Sequence, residues 1–352
     1  MSLITAFLAA GLVLVGNYVG DRPRVVYHSA KAIVALESDC DGLLWLAKSD
    51  EDTAGSLFAL DRGSRSPRLL HPEPRLTEFA LAGDRVLAFR AAGQTAELLS
   101  LPRAGGEPSE LVGGLSRPRG LAADGRAAYW TESRPAAAPH VWHIPVLRPR
   151  TCLRACSLAG EGARRTIAVA EADEPSFGGS LLGVHEGRLY WLDTFGRSLG
   201  AGWSAIRSVS VDGGQVETVA VEGGRQAALL DESALYWTAP SEDAWAPLAY
   251  SCVRRTSLPH IAPVTLTDWL MGGGRLLLAG GQLHYAASDG VWAVPHHLGE
   301  PRQLNAAGGG SSLVAGSGGW VYQALSTEEG GSLLLRHPVT LAARLRAAVG
   351  LP

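Results

Sequence analysis

The chain is 352 residues long, 46% hydrophobic and 18% charged, and its 43 glycines and 20 prolines suit many short strands and tight turns around a large core. A formal net charge of −3, with no run of basic residues, argues against nucleic acid as a partner.

In chain order, the first 20 residues, MSLITAFLAAGLVLVGNYVG, carry no charged side chain, and Leu3 to Val15 form an apolar run of signal-peptide length. This predicts an export signal or membrane anchor over 1–20, and with it a cell-envelope location, periplasmic or attached to the membrane through this segment. The other reading is β structure, because TAFLAAGLVLVG is similar to the hairpin TEFALAGDRVLAF at 77–89.

From 21 to 340 one pattern returns. Its copies align at Leu44, Leu87, Tyr129, Tyr190, Tyr236, His284 and Tyr322, spaced 38 to 61 residues apart. That spacing is close to the ~40–50 residues of a four-stranded propeller blade. Each copy follows a short apolar run and a turn of Gly, Asp or Ser, which reads as a hairpin. A third run follows, as in SLFAL (56–60) and AIRSVSV (205–211), and then a fourth, as in PRLL (67–70) and ETVAV (217–221). The pattern predicts an all-β fold, a β-propeller of seven blades, with six or eight as the alternatives. The last copy has no clear fourth strand, while PRVV at 23–26 resembles the fourth-strand segments. Residues 23–28 are therefore expected to pair with 331–336 and close the ring, since an open sheet edge invites aggregation. The C-terminal segment 341–352 reads as a short helix or a tail.

Departures from a repeat concentrate on loops of one face, where function sits. The connections from second to third strand are longest in blades three, four and five, at 22, 14 and 15 residues against 6 to 11 elsewhere. Each carries one tryptophan: Trp142, Trp203 and Trp245. His140, His143, Phe195 and Tyr250 accompany them, and 171–179 adds Asp173, Glu174 and Phe177. These aromatics read either as an interface for a protein partner or a carbohydrate, or as caps on blade edges. The third strands of the same blades place Arg154, Arg207 and Arg254 at equivalent positions, to bind an anionic partner or to pair with acidic groups of a neighbouring blade.

No metal site and no cofactor are expected, because the His140 and His143 pair has no evident third ligand. Cys152 and Cys156, with Cys40 and Cys252, read as free buried thiols. Two residues four apart on one strand are ~13 Å apart, too far for a disulfide. No GxSxG elbow, HExxH or phosphate loop stands in a suitable setting, and the innermost strands (IVAL, FALA, LLG, ALL) are almost wholly apolar.

LYWLD followed by AIRSVSVDGG (189–193 and 205–214), with LYWT at 235–238 and AYWT at 128–131, resembles the YWTD repeat family of β-propellers. The resemblance implies an exported scaffold for protein recognition, usually without catalysis. Together these readings predict a non-catalytic exported or membrane-anchored binding protein that uses the loops of blades three to five. The alternatives are a structural subunit of a membrane complex, or a propeller enzyme of the lactonase, lyase or dehydrogenase type with a site at the central channel.

Overall fold

A computed structural model of the chain describes residues 24–338, apart from 40, 49–54, 65, 73–74, 135–149, 160–162, 171–179, 196–202, 225–226, 241–249, 259–261, 272–273, 288–289, 296–298, 306–312, 318–319 and 328–331. Among the described residues there are 28 strands in seven four-stranded sheets and no helix. The fold is an all-β, seven-bladed propeller, as the repeat spacing requires. The segments 1–20 and 341–352 lie outside the described residues, among which no helix is long and apolar enough to cross a membrane.

The reason the repeat is visible in sequence lies in the second strand of each blade. In blade one this strand is Gly42–Lys48, buried at every position but the last, and in blade five it is Ala234–Pro240, with the same pattern. A strand covered on both faces must be apolar throughout, so it reads as a continuous run rather than an alternation. Trp45, Trp130, Trp191 and Trp237 on these strands are among the largest fully buried side chains. The turns before them follow from local chemistry. The Oδ1 atoms of Asp39, Asp124 and Asp231 each accept two backbone N–H groups two and three residues on. This side-chain mimicry of a turn is what favours Asp there.

The chain divides into two compact units: Met1–Pro74, Trp245–Ser251 and Thr265–Pro352 in one, and Arg75–Ala244 with Cys252–Val264 in the other. The first holds blades one, six and seven. Blade one consists of Ala32–Ser38, Gly42–Lys48, Gly55–Asp61 and Arg68–His71. Blade six consists of Arg275–Ala279, Gln282–Ala287, Gly290–Ala293 and Arg302–Asn305. Blade seven runs from Leu313–Ser317 through Trp320–Ser326 and Ser332–Pro338 to Arg24–Ser29 as its outer strand. The closure is as expected: Arg24 pairs with Arg336 and Ser29 with Ser332, antiparallel, with a bulge between Val25 and Tyr27. Ile33 then donates its backbone N–H to Ser332 Oγ at 3.0 Å, tying blade one to blade seven. Gly316 on the innermost strand of blade seven lies so near blade six that a Cβ there would stand 2.1 Å from the Leu278 carbonyl oxygen.

Blades six and seven share an apolar layer that includes Leu277, Ala286, Val291 and Val321. His284 stands opposite Leu277 and His337 opposite Val321, so both histidines enter this layer, at 0% and 2% exposure. Burial pushes each from 6.5 down to about 4; for His284 a hydrogen bond to the Gln282 carbonyl opposes the shift and Arg302 adds to it. The unfolded chain takes up these protons near pH 6.5 while the folded chain stays neutral until about pH 4. Stability is therefore complete above that window and is lost as the pH falls through it. Between about pH 7 and about pH 5.5 the expected loss is about 1 kcal/mol per histidine, and His284→Gln removes roughly half of it. Urea midpoints across this range check the expectation; a flat profile, unchanged in the variant, would contradict it.

The second unit holds blade two (Leu76–Ala82, Arg85–Ala92, Thr95–Pro102, Ser109–Leu115) and blade three (Pro118–Ala123, Ala127–Arg134, Arg150–Ser157, Arg165–Val169). It also holds blade four (Ser180–His185, Arg188–Phe195, Trp203–Ser210, Glu217–Gly223) and the first two strands of blade five, Ala228–Leu230 and Ala234–Pro240. The remaining strands of blade five are Tyr250–Ser257 and Val264–Met271. Packing between blades two and three centres on Leu87, Phe89, Trp130 and Cys156, and between three and four on Tyr129, Leu153, Leu189 and Trp191.

Candidate functional site

Within the second unit a tryptophan, a carboxylate and an arginine recur as a group. In blade four Trp191 and Asp193 point to the same side of their strand, and Arg207 stands opposite Trp191 on the next. Asp193 Oδ2 accepts the Trp191 indole N–H at 2.9 Å and lies 3.6 Å from Arg207 Nε. In blade three Glu132 accepts from Trp130 Nε1 at 3.1 Å and from Arg164 Nη1 at 3.3 Å. Blade five has Ala239 where the acid would be, and Glu222 from the outer strand of blade four takes its place. It accepts from Trp237 Nε1 at 2.9 Å and from Arg254 Nη1 at 2.8 Å. A buried indole N–H needs an acceptor and a buried guanidinium a counter-charge, and a carboxylate supplies both at once.

The three aligned arginines are thus held in different ways. Arg207 and Arg254 sit in ion pairs, and Arg154, 9% exposed, donates from Nη1 to Thr166 Oγ1 of its own blade. Neither Glu222 nor Arg164 is evident as a partner in the sequence, since each joins from a position remote from the motif, Glu222 on a fourth strand and Arg164 just before one. The missing acid at Ala239 is the one signal that blade five draws its carboxylate from elsewhere. Three buried atoms of blade three, Glu132 Oε2, Arg154 Nε and Thr151 Oγ1, have no hydrogen-bond partner among the described residues.

Of the loop residues, Phe195 ends the second strand of blade four and stands opposite Trp203, which begins the third. Trp203 is 46% exposed. His140, Trp142, His143 and Trp245 lie outside the described residues, as do Asp173, Glu174 and Phe177. Tyr250 begins the third strand of blade five, and the segment Trp245–Ser251 belongs to the first unit rather than the second. The structure therefore sets two members of the aromatic set, Phe195 and Trp203, opposite each other in strand register. Cys152, Cys156 and Cys252 are buried and form no disulfide, and burial pushes the Cys156 thiol up to about 11, so it stays protonated and unreactive at neutral pH. Among the described residues no three His, Cys, Asp or Glu side chains converge to hold a metal ion.

No family model and no curated protein matches this chain. Solved structures do. The oligogalacturonate lyase from Vibrio parahaemolyticus is similar over 90% of this chain and 93% of its own, at 9% identity and a TM-score of 0.62. An oligogalacturonate lyase in complex with manganese is similar over 87% and 88%, at 10% identity and a TM-score of 0.61. The uncomplexed acylaminoacyl peptidase of Pyrococcus horikoshii is similar over 88% of this chain but 52% of its own, at 10% identity and a TM-score of 0.60.

The expectation of a non-catalytic binding and scaffold protein is corrected by these three neighbours, which are enzymes. That expectation leaned on the apolar innermost strands. The inference was too strong, because catalytic groups are commonly carried by loops that a rigid scaffold positions. At 9–10% identity the likeness establishes the architecture, and the chain is a seven-bladed β-propeller.

Proposed function

We propose that this chain is a lyase-type propeller enzyme that cleaves an acidic saccharide. The observation that supports this reading is the extent of the match. It runs over 88% and 93% of the two oligogalacturonate lyases but over 52–55% of the acylaminoacyl and prolyl peptidases, so nearly half of each peptidase has no counterpart here. In such a reaction a base takes the proton α to a uronate carboxylate, a carbon–carbon double bond forms, and the glycosidic C–O bond breaks with protonation of the leaving oxygen. His140 and His143 are the residues of suitable basicity in the blade three loop. Trp142 and Trp203 suit stacking on a sugar face. We assign the repeat itself to the YWTD type on the Trp, acid and Arg groups of blades three to five, and we read residues 1–20 as an export segment, which suits a polymer met outside the cytoplasm.

The test is incubation of the purified chain with oligomers of galacturonate, glucuronate and mannuronate, with and without manganese, following the ultraviolet absorbance of the unsaturated product. Cleavage of one of them, lowered by about a hundredfold or more in His140→Ala or His143→Ala, is the expected result. Failure to cleave any of the three under either condition would sink the reading.

A further inference from the structure

A second site is suggested by a different part of the second unit. Between the first hairpin turns of blades two and three lies a cavity of about 430 Å³ lined in part by Asp84, Arg85, Gly125, Arg126, Ser157 and Leu158. Its size falls within the ~300–1,000 Å³ of small-molecule sites. These turns join first to second strands, at the opposite end of the sheets from the loops 135–149 and 196–202, which join second to third. With eight residues in the second strand of blade three, the two ends are roughly 20–25 Å apart.

The arginines are what distinguish the cavity. Blade four has the same hairpin, EGR at 186–188, and there Arg188 is tied to Glu217, the first residue of the fourth strand, at 2.7 Å. Glu217 stands opposite Ser208; in blade two the equivalent pair is Ser100 and Ser109, so the acid is replaced by a serine. In blade three the fourth strand begins at Arg165, another cation, whose Nη1 donates to the Val211 carbonyl. Among the described residues the guanidinium groups of Arg85 and Arg126 accordingly have no ion-pair or hydrogen-bond partner, whereas Arg90 of blade two is held by Glu97. Both are exposed and border one cavity. The backbone beneath them is fixed: Arg103 N–H donates to the Asp84 carbonyl and Leu158 N–H to the Arg126 carbonyl, each at 2.9 Å. Asp84 is the one carboxylate among the lining residues, set against two cations.

We infer that this cavity binds a sugar-sized oxyanion, with Arg85 and Arg126 as paired donors to a carboxylate or a phosphate. Two planar forks on fixed turns suit bidentate recognition of either group. A uronate unit and a phosphorylated sugar share that chemistry. The inference stands apart from the lyase reading, because neither arginine belongs to the loops assigned to catalysis.

Calorimetric titration of the intact chain with galacturonate, glucose 6-phosphate and neutral galactose tests it. At least one of the two anionic sugars is expected to saturate, galactose not to, and the Arg85→Gln/Arg126→Gln double variant to bind about tenfold or more weakly with an unchanged melting temperature. Saturation by galacturonate alone identifies a uronate source, by glucose 6-phosphate alone a phosphate source, and by both a general oxyanion cleft. The proposal is overturned if neither anionic sugar saturates, if galactose binds as well, or if the double variant binds like the unmodified chain. In the last case a uronate would be held elsewhere and the lyase reading would survive. Conversely, loss of binding in the double variant with no uronate cleavage by the unmodified chain would leave this site and remove the lyase.

Discussion

Replacing Asp193 with alanine is expected to lower stability by about 3–5 kcal/mol, the cost of breaking a buried ion pair by removing one partner. Asp193 has no exposed surface; its carboxylate holds the Trp191 indole N–H at 2.9 Å and the Arg207 guanidinium, whose side chain is 13% exposed. Alanine removes the acceptor of the indole N–H and the counter-charge of the guanidinium, and water has little access to replace them. For a chain of 352 residues the melting temperature should fall by about 4–7 °C. Asp193→Asn keeps an acceptor for the indole and loses only the charge, so about half the loss is expected. In Asp193→Ala/Arg207→Met the guanidinium is gone as well, and much of the stability should return, because a buried pair replaced on both sides is often near neutral. Thermal and urea unfolding of the three variants checks this ranking. A single variant Asp193→Ala that melts with the unmodified chain would show that the group does not hold blade four together and would return Arg207 to the pool of ligand-binding residues.

Much of this fold is legible in the sequence because blade packing imposes an unusual constraint on one strand in four. Leu43 to Ala47 and Leu235 to Ala239 are covered on both sides, so chance substitution cannot blur the run, and its period survives even where the Tyr slot is filled by Leu87 or His284. The turn aspartates and the pairing of Arg24–Ser29 with Ser332–Pro338 are also local or nearly forced. The candidate site is less legible, for a physical reason. Arg164 meets Glu132 across 32 residues and Glu222 meets Arg254 across 32, so neither pairing has a spacing that a motif would reveal. The free arginines are harder still. Arg85 and Arg188 look alike in sequence, and only the register, which sets Ser109 where blade four has Glu217, shows that one is paired and the other is not.

The largest effect on the fold should come from the ring closure. A chain lacking Arg24–Ser29 is expected to lose its cooperative melt or to unfold at least ~10 °C earlier, and to aggregate on warming. The segment is the outer strand of blade seven, and its removal leaves the backbone of Ser332–Arg336 unpaired along one edge. That edge carries Leu333, Leu334 and Leu335, of which Leu334 is fully buried, so an apolar strand with open hydrogen-bonding groups would face other chains. The segment also contributes packing. The Tyr27 ring lies 5.4 Å from Trp45 and 5.8 Å from Phe58 of blade one, centroid to centroid, which couples the closing strand to the blade that follows it. Tyr27→Ala keeps the backbone pairing and removes only these ring contacts, so its cost should be smaller, about 2–3 kcal/mol for a half-buried aromatic. Melting curves with light scattering separate the two changes: early scattering is expected for the truncated chain and not for Tyr27→Ala. A truncated chain that melts cooperatively within a few degrees of the intact one, without scattering, would show that blade seven holds its three remaining strands unaided and that the closing strand is dispensable.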